Sequence, residues 1–555
     1  MRLGVAPKSI DQLSSGRTIV KIKSVRAPRR EANLTALRGQ VAACVLALPA
    51  FVGGYTGAGN APSNHAAVAP LPKAAVMRLA AHPRRMFNDI ERRTFEYFWN
   101  TTDPRTGLTP DRWPTPSPSS IAADGFALTA DVIGAYRGYV SREAAAERAR
   151  TTLAFLASRP QGSAAVGFAG YHGLFYHFLD MSTGLRSRNS ELSTIDTALL
   201  MAGVLTAESY FDRDTPVERS VRHFADRLYR NVDWRWTERG GHRVRMGWLP
   251  ETGFYTSTWD GYSEGSLLYI LGLGSPTHPL RSDAWKAWAS TDPGEWRSLD
   301  GQTFLAFGPQ FANQYTAIWV DFQGIADPFM ASHQSNYFQN GERATLAQQQ
   351  FAIDDPHYWR GYSKYIWGLT ACDGPGNVRA PFHGRMRVFH SYAARGITSS
   401  DVDDGTLAPT AMVGSLPFAP RVVTYSTVAL MRMYGDMIYT RYGFLDSFNP
   451  SFTDAALAEH GYVIPGRGWV DGDFIGIDQG PILAMIENER SGLIWKLMQR
   501  NRYIRAGLLR AGFIGGWLYQ RKASAALEPT PGARSTESAR RAVATASKSP
   551  MARRP

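Results

Sequence analysis

Two segments of this sequence set a carboxylic acid beside aromatic residues at the head of an apolar helical run. In the first, Trp259-Asp260-Gly261-Tyr262-Ser263-Glu264 leads into Leu267-Leu268-Tyr269-Ile270-Leu271. Ser263 is a natural N-cap and puts Glu264 in the first turn, where the helix dipole favours the ionised form and opposes a general acid at neutral pH. Burial beside Trp259 and Tyr262 pushes the other way, so a proton donor and an ordinary dipole-stabilising Glu are equally open at this position. In the second, Gly476-Ile477-Asp478-Gln479-Gly480-Pro481 opens a helix that carries Glu487 and Asn488 further along. Asp478 reads as an N-cap, with Pro481 tolerated in the first turn, and that structural duty stands beside a chemical one. Glu487, in a largely apolar helix, must be paired or face a polar cavity.

Other acids are weaker candidates. Ser193-Thr194-Ile195-Asp196 ahead of Ala198-Leu199-Leu200-Met201 fits a capping box with Asp in place of Glu, which explains Asp196 as well as chemistry does. Asp321, in Trp319-Val320-Asp321-Phe322, has aromatic neighbours and no obvious structural duty, which makes it a substrate-contact candidate. Asp401-Val402-Asp403-Asp404 has the D-x-D-D form of a cyclase proton donor, but the Gly405-Thr406 and Pro409-Thr410 that follow suggest an exposed loop. There is no H-E-x-x-H, EF-hand spacing, Walker loop or G-x-S-x-G elbow, and no metal or cofactor is expected. Trp, Tyr and Phe lie beside Asp, Glu, Asn and Gly rather than only in apolar runs, a mixture that suits the apolar faces and hydroxyl edges of sugars.

The elements that must hold these residues are helical. Met86 to Trp99 gathers Phe87, Ile90, Phe95 and Phe98 on one broad face. Similar periodicity predicts helices over 125–139, 142–156, 193–211, 215–230, 263–272, 311–318, 340–352, 423–441, 452–459 and 480–499. Helices joined by loops rich in Gly, Trp and Asp match helical hairpins arranged in a ring with chemistry at one end. The absence of a tight internal repeat argues against an open solenoid.

The formal net charge of +13 over 555 residues would suit a polyanion partner if it were spread over the body. It is not. Residues 1–40 carry nine Lys/Arg against two Asp/Glu, residues 521–555 carry eight against two, and the body between is neutral, which excludes nucleic acid as an expected partner. Residues 1–61 read as a secretory signal: a long basic stretch, the apolar run Val41 to Val52, then small residues up to Ala61. Twelve apolar residues are too few for a stable membrane span. A periplasmic or secreted location is therefore expected, with a Pro/Ala linker at 62–84, a folded body at 85–520 and a basic tail at 521–555. Of the two cysteines, Cys44 falls in the leader, leaving Cys372 with no disulfide partner in the mature chain.

Taken together, several segments resemble the bacterial glucoamylase-like family, which includes stand-alone enzymes of glycoside hydrolase family 144 and a domain of cyclic β-1,2-glucan synthases. The matching stretches are Ser193 to Leu200, Trp259 to Pro279, Trp319 to Phe322, Trp367-Gly368-Leu369-Thr370-Ala371, Gly405 to Ala411 with Ser415-Leu416-Pro417-Phe418, Tyr442-Gly443-Phe444, and Ile477 to Trp495. The resemblance implies an all-α (α/α)6 toroid and a monomer that hydrolyses β-1,2-glucan endo-wise to sophoro-oligosaccharides with inversion. It makes Glu264 the general acid, Asp478 the base or base-side carboxylate, and Asp196 a third acid in the cleft. Trp259, Tyr262, Trp319, Asp321, Trp367 and Glu487 become the expected substrate contacts. The sequence departs from the family pattern at Ser263, Gln323 and Asn336, where Asn, Arg and Asp are expected. Transglycosylation on the same fold and glycan binding without turnover are the competing functions.

Overall fold

A computed structural model describes residues 69–519. The expected leader, the first part of the linker and the basic tail lie outside them. The principal helices in chain order are α1 (Lys73–Ala80), α2 (Pro83–Thr101), α3 (Ile121–Arg137), α4 (Arg142–Ala157), α5 (Thr194–Tyr210), α6 (Pro216–Asn231), α7 (Gly265–Gly274) and α8 (Phe311–Trp319). There follow α9 (Tyr337–Asp354), α10 (Pro409–Val413), α11 (Pro420–Ile438), α12 (Gly476–Ser491), α13 (Leu493–Met498) and α14 (Arg502–Arg510).

Two kinds of helix alternate along the chain. Every residue of α7 and α8 is buried, and so are Ile121–Gly134 of α3, so these helices are covered on all sides. By contrast α6 buries one stripe, Val221, Ala225, Leu228 and Tyr229, and leaves its charged face in water. The covered helices touch in a closed circuit: α3 packs on α5, α5 on α7, α7 on α8, α8 on α12, and α12 on α10 and back on α3. The striped helices lie outside them, α2 and α4 against α3, α6 against α5, α14 against α7, α9 against α8 and α11 against α10. Glycines allow the closest approaches. A Cβ on Gly203 would sit 2.0 Å from the Gly125 carbonyl oxygen, so α3 and α5 meet backbone to backbone.

The heads of four covered helices bear Asp124, Asp196, Glu264 and Asp478, and the tails of α12 and α8 meet, Asn488 Nδ2 donating to the Ile318 carbonyl at 2.8 Å. Strands are short and serve the loops at the heads. Arg112–Trp113 pairs antiparallel with Phe474–Ile475, directly before α12, and Leu192–Ser193 pairs with Gly247–Leu249, directly before α5. The longest hairpin pairs Val378–Phe382 with Arg385–Phe389.

Two expectations need correction. Part of the stretch read as linker forms α1, whose Val76 and Ala80 are buried against the body. The helix expected at 452–459 is a succession of turns. Its end is held elsewhere: the Glu459 backbone N–H donates to the Pro375 carbonyl at 2.7 Å, and Glu459 Oε2 accepts from the Asn377 N–H at 2.9 Å, contacts that an uninterrupted helix would break. Among the described residues no helix is long and apolar enough to cross a membrane.

Candidate active site

Asp196 sits in the first turn of α5, where Ser193 Oγ accepts from its backbone N–H at 3.2 Å and donates to its carboxylate. The capping reading therefore holds, but the same carboxylate has a second partner. His177 Nε2 lies 3.7 Å from Asp196 Oδ2, while His177 Nδ1 bonds Glu191 Oε1 at 2.9 Å. Burial alone would depress the His177 pKa, but the charges of Asp196 and Glu191 outweigh it and raise it to about 9, so the ring is an imidazolium at neutral pH. The ligand atoms of His177, Glu191 and Asp196 lie within 4.8 Å of one another, close enough for a divalent cation. The imidazolium already supplies the positive charge there. Nothing in the sequence singled out His177, a lone histidine between Tyr176 and Phe178.

Glu264 stands at the N-cap position of α7, one residue before the helix proper, with Ser263 Oγ accepting from the Gly265 N–H at 3.3 Å. Its side chain is buried, at 5% exposure. Trp259 packs over Gly265 and donates from Nε1 to Thr194 Oγ1 at 3.0 Å, tying the Glu264 loop to the head of α5. Tyr262 donates to Asn313 Oδ1 at 2.8 Å and stacks on Tyr337 with ring centroids 5.7 Å apart. Trp259 and Tyr262 wall a cleft shared with Phe307, Arg297 and Asp401.

Asp478 is the third residue of α12, not its cap, because the helix starts at Gly476 once the Arg112–Trp113 strand has fixed Phe474–Ile475. Burial raises its pKa to about 8, against a hydrogen bond from Asp446 that lowers it, and the charges of Asp373 and Asp111 add to the rise. Asp446 is pushed well above the carboxylate range by burial and by Asp478, so the two side chains hold protons as a linked pair. Around them lie Asp111, Asp471 and Asp473, with Arg112 Nη1 bonding Asp373 Oδ2 at 2.6 Å. The sequence reading missed Asp446, Asp373, Asp111 and Arg112.

One side chain links these groups electrostatically. The Tyr315 hydroxyl on α8 is pushed well above its usual pKa by burial and by the charges of Asp478, Glu264 and Asp196, with Tyr392 also contributing. Charges more than two hundred positions apart in the chain thus act on one hydroxyl.

Four expected contacts are placed elsewhere. Trp319 ends α8 at the tail side, fully buried against Phe126 at 5.1 Å, with Nε1 donating to Thr129 Oγ1. Asp321, just beyond, accepts from Gln499 Nε2 at 2.6 Å while its carbonyl accepts from Trp517 Nε1, so it holds the segments around Gln499 and Trp517 in place. Trp367 is 1% exposed and donates to Ser426 Oγ of α11 at 2.8 Å, leaving no face for a sugar. Glu487 lies eleven to twelve residues into α12, roughly 14 Å below the Asp478 turn at 1.5 Å per residue. The Asp401–Asp404 run is not the exposed loop expected: Asp404 is buried against the fully buried Arg395, with Arg395 Nε donating at 2.8 Å, and Asp403 accepts from Tyr362.

Glu487 pairs with Glu91 beside Arg137, 3.7 Å away, and accepts from Ser491 Oγ. Burial and the Glu91 charge raise its pKa to about 9. Its contribution to stability is therefore complete below its unfolded pKa near 4.5 and is lost as pH rises through 9. Glu487→Gln, a neutral isostere, is expected to remove this loss and leave catalysis unchanged. Thermal melts between pH 5 and 9 should show wild type falling relative to the variant, and parallel curves would refute the pairing.

A helix-rich body with carboxylic acids at the heads of its covered helices, and no sheet barrel among the described residues, is similar to glucoamylase-like proteins. Residues 256–502, which include Glu264 and Asp478, match the family described as "Putative glucoamylase". A Parabacteroides distasonis exo β-1,2-glucooligosaccharide sophorohydrolase is 24% identical over 456 residues, which are 76% of this chain; the chain spans only 57% of that relative's length. Among solved structures, a putative glucoamylase from Bacteroides uniformis is 28% identical with a TM-score of 0.66, covering 80% of this chain and 99% of that one. An endo-β-1,2-glucanase from Chitinophaga pinensis, seen with sophorotriose and glucose, is 25% identical with a TM-score of 0.66, covering 80% and 100%.

Proposed function

We propose that this chain is a glycoside hydrolase that cuts β-1,2-glucan internally, with inversion, to sophoro-oligosaccharides. The single observation that carries the reading is that Asp478, Glu264 and Asp196 stand at the heads of covered helices near enough for their charges to act on Tyr315, with Trp259 tying the Glu264 loop to the head of α5. The endo-β-1,2-glucanase and the sophorohydrolase to which the chain is similar support the linkage. The closed circuit of covered helices supports an (α/α)6 toroid as the frame.

In this mechanism Glu264 protonates the departing glycosidic oxygen. Asp478, its pKa raised close to the working pH and linked to Asp446, takes the proton from the attacking water on the other face of the sugar. Asp196, held by Ser193 and the His177 imidazolium at the head of α5, is placed to act on the developing oxocarbenium. The leader pattern in residues 1–61 supports a periplasmic or secreted location, with residues 69–519 as the catalytic body.

Incubation with linear β-1,2-, β-1,3- and β-1,4-glucans, followed by separation of the products, is expected to release reducing ends from the β-1,2-polymer alone. A ladder of products early in the reaction marks internal cutting, and sophorose alone marks exo action. Lengthened or cyclised chains would replace hydrolysis by transglycosylation, and binding without products would remove the enzyme reading.

A further inference from the structure

The cluster around Asp478 holds sealed groups and open ones. Asp478 Oδ2, Asp446 Oδ1 and Asp471 Oδ2 are buried atoms that no solute reaches. Asp111 and Arg112 differ: their side chains keep 20% and 27% exposure, and Arg112 Nε lies 3.6 Å from Asp111 Oδ2. Arg112 Nη1 is taken by Asp373 at 2.6 Å, with Asp473 3.9 Å away. Its Nη2 has no partner among the described residues and is not buried, and the same is true of the Asp111 carboxylate beyond its contact with Arg112. The opening is narrow. Burial is the largest influence on the Asp111 carboxyl and pushes its pKa up in spite of that exposed surface, so the group faces a recess and not open water. Both residues are fixed to the head of α12: the Asp111 carbonyl accepts from the Gly476 N–H at 2.8 Å, and Arg112 pairs with Ile475, three residues before Asp478. Tyr392 adds a third open group. It stands one step beyond the paired Cys372 and Ala393, beside Asp373, and Arg395 grips the carbonyls on either side of it, Ser391 at 3.2 Å and Ala393 at 3.3 Å. The side chain is half-buried, its hydroxyl has no partner among the described residues and is not buried, and the charges of Asp478, Asp446, Asp111 and Asp373 act on it.

A carboxylate, a guanidinium N–H and a phenol thus offer an acceptor, a donor and a group that can be either, all within reach of the charges around Asp478. An anionic ligand would meet the carboxylates of Asp111, Asp373 and Asp473, and a cation would meet Arg112. Hydroxyls of an uncharged sugar satisfy both, because each donates and accepts. Resting on the hydrolase reading above, we propose that Asp111, Arg112 and Tyr392 bind hydroxyls of the glucose unit that faces Asp478. Their task is separate from that of Asp478 and Asp446, whose protons serve the attacking water. Rigid backbone on both sides of the recess fixes where each hydroxyl must sit. A sugar that lacks one of them leaves a desolvated polar group unpaired, so the contacts discriminate by structure and not by surface area.

The test is isothermal titration of sophorotriose, and of a set of sophorotrioses each lacking one hydroxyl, into Glu264→Gln protein with and without Asp111→Asn or Tyr392→Phe. Asp111→Asn is expected to weaken sophorotriose about tenfold or more, and Tyr392→Phe about threefold to tenfold. For at least one deoxy sugar each loss should shrink to about twofold or less, because the hydroxyl that the side chain would have bound is already gone. A loosened fold weakens every sugar alike and cannot imitate that pattern, and Tyr392→Phe, which breaks no hydrogen bond within the protein, reads the subsite even where Asp111→Asn unsettles the head of α12. Equal losses across the whole set, or unchanged affinity in both variants, overturn the subsite. Asp111→Asn also removes a charge that raises the Asp478 pKa, so a shifted pH profile with unchanged affinity would leave Asp111 a purely electrostatic neighbour and overturn its contact with sugar. Selective losses in the set, together with no reducing ends from β-1,2-glucan in wild type, would keep the subsite and overturn the hydrolase reading instead.

Discussion

Glu264→Gln is expected to lower kcat on β-1,2-glucan by roughly 10²- to 10⁴-fold, the range a positioned general acid supplies. The amide keeps the shape of the side chain at the head of α7 and loses only the transferable proton, so sophorotriose binding and the melting temperature should stay near wild type. A leaving-group series separates a proton donor from a group that merely orients the sugar. An activated aryl β-sophoroside departs without needing a proton, so the variant should recover most of its rate on that substrate. Equal losses on the aryl glycoside and the polymer would show that Glu264 positions substrate and that the proton comes from elsewhere. The assay is release of reducing ends from the polymer beside release of the aryl group.

Local pattern carried much of the fold. The alternating apolar spacing in 142–156 and 215–230 became α4 and α6 within a residue at each end, because a striped helix advertises its period. Short covered helices were less legible: α10, five residues of Pro409–Val413 buried on all sides, has no polar face to set a period. The site divided along a similar line. Glu264, Asp196 and Asp478 stand at helix heads, where capping residues and a change of composition mark the position, and the charges of all three act on Tyr315. Trp319, Trp367 and Glu487 lie in equally distinctive segments but on the wrong part of them: the first two are wholly covered, and Glu487 is at the tail end of α12. Segment likeness identifies a helix without saying which of its ends faces substrate. Asp446 and Asp373 were invisible for another reason. They enter through loops far apart in sequence and acquire meaning only because Asp373 N–H donates to Asp446 Oδ2 at 2.9 Å next to Asp478.

That three-carboxyl arrangement fixes the other large effect. Asp478→Asn should also lower kcat by roughly 10²- to 10⁴-fold, since an amide cannot accept the proton of the attacking water. Its stability should move the opposite way. A carboxyl raised from 3.8 to about 8 contributes stability that is complete below 3.8 and is lost as pH rises through 8, so the neutral variant should outlast wild type in thermal melts above that pH. The role of Asp478 is then read from its titration in wild type. As the base it must be ionised, and the acidic limb of kcat/KM, which reports the free enzyme, should fall near the apparent pKa of the linked Asp478–Asp446 pair. Asp373→Asn removes a negative charge that raises this pKa and releases Arg112 from its 2.6 Å ion pair, and both changes favour ionised Asp478. The acidic limb should therefore move to lower pH while the alkaline limb stays in place. Movement of the alkaline limb alone would reverse the assignment, making Asp478 the acid and leaving Glu264 to activate water, because the same drop in pKa would then strip the donor of its proton earlier.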